Sequence, residues 1–138
     1  MKKTRLVIEY DYDFALLGIT SSVKFYKLAW SVNRALGINL IRVEDYQLAL
    51  KDETQAFGCY IFENEEPLIW LFKNRSIENE KTFLAPEVPH FDYLLKIQKE
   101  SQSFAQKEIL KDLKEIKCIE YIGAIEIDTL KSKDNFLD

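Results

Sequence analysis

Polar and apolar positions alternate in residues 4–10 (TRLVIEY), with Leu6, Ile8 and Tyr10 on one side and Arg5, Val7 and Glu9 on the other. That period-two pattern predicts a strand. Residues 14–20 (FALLGIT) follow as a short apolar connector around Gly18. In residues 21–36 the period lengthens. Phe25, Leu28, Ala29, Val32 and Leu36 fall on one helical stripe, while Lys24, Lys27, Ser31 and Arg34 lie off it. Thr20, Ser21 and Ser22 offer N-caps for this helix, and Gly37 offers a C-terminal stop. Tyr26 and Trp30, four apart, widen the apolar stripe and predict a helix covered on more than one side.

Strand-like runs dominate the middle of the chain. Residues 38–44 (INLIRVE) read as a strand that runs on into DYQLAL; residues 55–62 (QAFGCYIF) and 67–73 (PLIWLFK) are rich in β-formers and apolar on both faces. The turn-like ENEE between these two runs predicts a hairpin of central strands. Residues 73–81 (KNRSIENEK) read as an exposed loop, residues 81–84 as a short strand, and residues 91–97 as another alternating strand. Ile109, Leu113 and Ile116, with Ala105, mark a second helix over residues 101–116, which Ser103 and Gln106 open as a capping box. A final strand spans residues 118–128, and the polar tail KSKDNFLD reads as frayed. The order β-α-β-β-β-β-β-α-β predicts a single α+β domain over residues 1–138, with a mostly antiparallel sheet of six to seven strands and two packed helices.

Composition narrows the class. At 138 residues with 47% hydrophobic content and 18 aromatics (two Trp, seven Tyr, nine Phe), the chain has enough apolar material for a core without staples. The net charge of −4 is spread without a basic block, which disfavours nucleic acid as a partner. The longest charge-free run, residues 14–23, is too short to span a membrane. Cys59 and Cys118 have no Cys or His neighbour at metal-ligand spacing, and two thiols suit a reducing compartment, so the expected location is the cytoplasm.

The densest chemistry lies in residues 84–93 (LAPEVPHFDY), which hold two of the three prolines, the only histidine and two carboxylates. Residues 85–93 resemble the motif of the IPExxxVDY family, a group of small bacterial proteins without an assigned function. Pro86 and Glu87 match the motif's Pro and Glu, and Asp92 and Tyr93 its Asp and Tyr. Val88, Pro89 and His90 fill the three open places, while Ala85 and Phe91 replace its Ile and Val. YKLAWSVN, residues 26–33, is also similar to the family. The resemblance spans the whole chain and implies no chemistry.

Two sets of candidate site residues emerge. Pro86, Glu87, His90, Asp92 and Tyr93 could form a carboxylate–imidazole site; the structural reading makes them a joint, with the prolines in extended backbone, both acids bonded within the chain and Tyr93 buried. Gly18, Thr20, Ser21 and Ser22 could hold an anion at a helix N-terminus, or simply form a turn and cap. The aromatics Tyr26, Trp30, Tyr60, Phe62, Trp70 and Phe72 read as core, with an apolar pocket as the other reading. No complete catalytic set is present: thiol chemistry lacks a nearby histidine, and no metal or other cofactor is called for. The expected function is therefore a non-catalytic binding or assembly module, against the alternative of a small enzyme using Glu87 and Asp92. Two helices cover only part of a wide sheet, so the pattern further predicts a homodimer that buries the leftover apolar face.

Overall fold

The computed structural model describes residues 13–50, 53–98 and 106–137. The chain runs β1 (Phe14–Thr20), α1 (Phe25–Leu36), β2 (Ile41–Arg42), β3 (Tyr46–Leu50), β4 (Glu53–Phe57), β5 (Cys59–Asn64), β6 (Glu66–Lys73), β7 (Tyr93–Gln98), α2 (Gln106–Leu113) and β8 (Tyr121–Ile125). Two 3-10 helices follow among the described residues, Ile127–Thr129 and Lys133–Phe136. Among the described residues, six strands form one antiparallel sheet in the order β2-β5-β6-β7-β1-β8, and β3 and β4 form a separate hairpin. The α+β class and the strand-rich order agree with the sequence pattern.

The connector assigned to residues 14–20 is instead the interior strand β1, paired with β7 on one side and β8 on the other. Its residues from Phe14 to Ile19 are all buried, because both faces of the sheet are covered there. A strand covered on both faces needs no polar positions, so it loses the alternation by which strands are recognised. The strand expected at residues 4–10 lies outside the described residues, as does Ser103 of the capping box.

One face of the sheet packs against the helices. Ala15, Leu17 and Ile19 of β1, Ile69 and Leu71 of β6, and Leu95 and Ile97 of β7 meet Leu28, Ala29 and Val32 of α1 and Ile109 and Leu113 of α2. α1 ends as expected, with Gly37 left-handed (φ 67°) and its N–H on the Asn33 carbonyl. Its start differs: Lys24 holds the N-cap position without a side-chain cap, four residues beyond Thr20. Tyr26 and Trp30 are 65% and 57% exposed, so α1 buries one side only. The aromatic set divides accordingly, with Phe72 buried, Tyr60, Phe62 and Trp70 half-buried and the two helix aromatics outside.

The opposite face packs Phe14, Leu16, Phe72 and Leu94 against Phe57, Leu84, Phe91, Leu130 and Phe136. Those covering residues come from β4, the long loop before β7 and the C-terminal segment. The uncovered apolar face from which a second copy was expected is thus filled by the chain itself. The tail is correspondingly ordered: Phe136 is buried, and the Phe136 carbonyl accepts a hydrogen bond from Lys96 Nζ at 2.6 Å. Gly58 separates β4 from β5, so the run at residues 55–62 serves both sheets. A Cβ there would meet the Phe25 ring at 2.8 Å.

Candidate functional site

Residues 74–92 connect β6 to β7 and cross the second face of the sheet. Of the segment expected to be an exposed loop, residues 73–81, Lys73 ends β6 and the next residue, Asn74, is fully buried. Its amide Nδ2 donates to the carbonyls of Val88 (3.1 Å) and Phe91 (2.9 Å), and its Oδ1 accepts from the Ala85 N–H (2.9 Å). Its own backbone bonds Asp92 and Leu84. Ser76 is buried as well, donating to Gln55 Oε1 at 2.6 Å and accepting from the N–H groups of Glu78 and Asn79. Polar residues therefore face inward here because they satisfy backbone that no strand pairs.

What Asn74 holds is a double turn. The Val88 N–H donates to the Ala85 carbonyl and the Phe91 N–H to the Val88 carbonyl, at 3.1 and 3.2 Å. Pro86 and Pro89 each take the second position of a four-residue turn, where a fixed φ near −65° fits. The prolines are thus in turns rather than in the extended backbone expected of them. Glu87 and His90 occupy the third positions with negative φ, as a type I turn requires.

The two motif carboxylates go to different places. Glu87 is exposed and reaches the C-terminal segment, where Ser132 donates to it twice, N–H to Oε2 at 2.9 Å and Oγ to Oε1 at 2.7 Å. Partial burial works against its charge, but the hydrogen bonds from Ser132 and from the backbone N–H groups of Glu87 and Lys131 together outweigh that and leave the carboxyl below its ordinary range. Asp92 instead turns to the β1–α1 connection and accepts the Ser21 N–H at 2.9 Å through Oδ2. Tyr93 is buried, stacks on Phe25 and donates its hydroxyl to the Val23 carbonyl at 2.6 Å. Burial first, and then the Asp92 charge, push that hydroxyl up to about 12.

The second candidate set meets the first. The Asp92 carboxylate already occupies the Ser21 N–H, so an anion from the same chain sits where an external one was expected. Ser21 Oγ donates to the Cys118 carbonyl (2.6 Å) and Thr20 Oγ1 to the His90 carbonyl (3.1 Å), while Ser22 lies exposed beside them. Gly18 is in mid-strand, away from any helix terminus, and its role is space. A Cβ on Gly18 would lie 2.2 Å from the Phe91 ring, which lies across the strand there and stacks on Tyr121.

His90 is exposed, its ring tilted against Phe91, and only its backbone carbonyl meets the other candidates. Of the motif residues, Pro86 alone lines the groove of about 470 Å³ that it shares with Leu50, Gln55, Lys81, Phe83 and Asn135. Burial pushes the Cys59 thiol up to about 12, and Cys118 Sγ lies 3.8 Å from Ser31 Oγ. Among the described residues no group of three potential ligands could hold a metal ion, and no helix is long and apolar enough to cross a membrane. Asn74 and Ser132 escaped the sequence reading. Both sit in polar stretches that look solvated, and only their distant partners give them a role. No protein-family model, curated protein or solved structure matches this chain.

Proposed function

We propose that this chain is a non-catalytic cytoplasmic binding or assembly module and that the Pro86–Tyr93 motif, shared with the IPExxxVDY proteins it resembles, is a structural joint. One observation carries this reading: Glu87 and Asp92 each accept a backbone N–H from a distant part of the chain, and the two acids share no partner. A general acid–base pair must converge on one reacting group within hydrogen-bond reach. Here each carboxylate closes a joint instead, Glu87 to the C-terminal segment and Asp92 to the β1–α1 connection.

The test separates folding from chemistry. Glu87→Gln is placed at the native locus and assayed by competitive growth against the parent strain, with the purified variant's melting temperature measured in parallel. A module keeps its competitiveness as long as the variant stays folded. A Glu87→Gln protein that is folded to the parental level yet behaves as a deletion would overturn the reading in favour of an enzyme.

A further inference from the structure

The two edges of the main sheet differ. At one, β2 has only two residues, and the Arg42 guanidinium lies against it, donating to the carbonyls of Val43 (2.6 Å) and Cys59 (3.1 Å) and pairing with Asp45 (2.7 Å). A short strand with a tethered charge is a protected edge. At the other, β8 runs five residues, YIGAI, in unbroken register with β1 and with neither a charge nor a proline.

The outward groups of β8 follow from the ladder. The Thr20 carbonyl accepts from the Glu120 N–H, and the neighbouring Ile19 carbonyl accepts from the Asp92 N–H at the β7 side. Alternate residues of a strand address opposite neighbours. Leu16, Gly18 and Thr20 therefore turn toward β8, and their partners Ile125, Gly123 and Tyr121 turn back toward β1. Ile122 and Ala124 are left with N–H and C=O directed off the sheet, where no described residue pairs with them. Beside this edge lies a groove of about 570 Å³ lined by Leu110, Lys114 and Ile119, and Tyr121 stands 59% exposed.

We propose that the β8 edge is the docking site of the module, which deepens the reading above and rests on it, and that its occupant is an extended segment of a partner protein with an apolar centre and Lys or Arg at both ends. Strand addition uses the outward backbone groups for affinity and the flanking pockets for choice. Charge selects the partner. Glu120 and Glu126 flank β8, both are exposed, and neither forms an ion pair with a described residue. In a second copy paired about Gly123, Glu120 of one chain would face Glu126 of the other, and like charges directly opposite are unfavourable. Basic ends reverse that sign.

The test uses the full chain and a seven-residue synthetic peptide of alternating Val and Thr between terminal lysines, compared with the same peptide ending in glutamates. Binding is followed through the backbone amides by NMR. The expected result is a shift and slowed exchange at Ile122 and Ala124, with the lysine peptide bound about tenfold more tightly. Ala124→Pro removes an outward N–H without touching the β1–β8 ladder and should abolish binding; the exposed double change Glu120→Lys/Glu126→Lys should reverse the preference even if the proline variant fails to fold. Equal binding of both peptides, shifts confined to other surfaces, or slow exchange at Ile122 and Ala124 in the free protein would each overturn the proposal. So would a dimer that Ala124→Pro converts to monomer, since the occupant would then be a second copy. None of these variants touches Glu87 or Asp92, so failure here leaves the growth assay of the module reading unaffected.

Discussion

The two faces of the sheet are covered by different kinds of structure. On the helix side, Leu28, Ala29 and Val32 come from three successive positions of one helical stripe, and Ile109 and Leu113 from another. Between its ends each helix satisfies its own backbone, so the middle of its apolar stripe reaches the sheet without help from distant polar groups. On the other side, Phe57, Leu84, Phe91, Leu130 and Phe136 arrive from separate stretches of irregular or short structure. Irregular backbone cannot satisfy itself. It is held by long-range side-chain bonds: Asn74 to Ala85, Val88 and Phe91, Asn135 Nδ2 to the Leu84 carbonyl, and the Tyr46 hydroxyl to the Asn135 carbonyl. Apolar cover made of loops thus depends on buried polar residues along its length, whereas cover made of helices needs them only where α1 joins the sheet, at Ser21, Asp92 and the Tyr93 hydroxyl.

The sharpest way to break this comparison is to truncate one large side chain on each face. Phe136→Ala should cost about 3–5 kcal/mol and Leu28→Ala about 2–5 kcal/mol in chemical denaturation, because both are buried apolar groups in filled surroundings. If the C-terminal segment were a frayed tail, as its composition suggests, Phe136→Ala would unfold at the parental denaturant concentration, and the second face would not be a core.

The next largest effect isolates the polar support. Asn74→Ala leaves the Phe91 carbonyl and the Ala85 N–H of the double turn without a partner and the Val88 carbonyl with its turn bond alone, and should cost about 2–3 kcal/mol at one to a few kcal/mol for each orphaned group. Asn74→Asp should be no better, since a carboxylate would face the carbonyls of Val88 and Phe91. Hydrogen exchange locates the damage: amides of residues 84–91 should lose protection before those of α1. Uniform loss across both faces would show that the loop cover is not a separable layer.

The smallest effect concerns the exposed end of the same layer. Against partial burial, hydrogen bonds from Ser132 and from the backbone N–H groups of Glu87 and Lys131 hold the Glu87 carboxyl below its ordinary range. A depressed carboxyl stabilises the fold above its unfolded pKa, and that contribution is lost as pH falls through the folded value. Melting temperature followed from about pH 6 to about pH 3 should fall slightly more steeply for the parent than for Glu87→Gln. Parallel curves would remove Glu87 from the joint. Exposure and solvent screening keep this effect well below that of Asn74.

The sequence by itself determined the helix stripes, the stop at Gly37, the hairpin of β5 and β6, and the α+β class. Each is written in a repeat of two or about four residues, or in a turn residue, and so is visible within a short window. The same window misplaced β1, whose covered faces erase the alternation, and it read Tyr26 and Trp30 as buried because apolar character does not say which side of a helix meets the sheet. Tertiary structure alone decided that Asp92 would close on Ser21 across 71 positions and Glu87 on Ser132 across 45. It also decided that Phe91 would occupy the space above Gly18, and that a polar-looking tail would supply Phe136 to a core. Such pairings carry no local signal. A carboxylate, a serine N–H or a single phenylalanine is chemically the same on the surface and in a joint, and the distant partner that chooses between them appears only when the chain has folded back on itself.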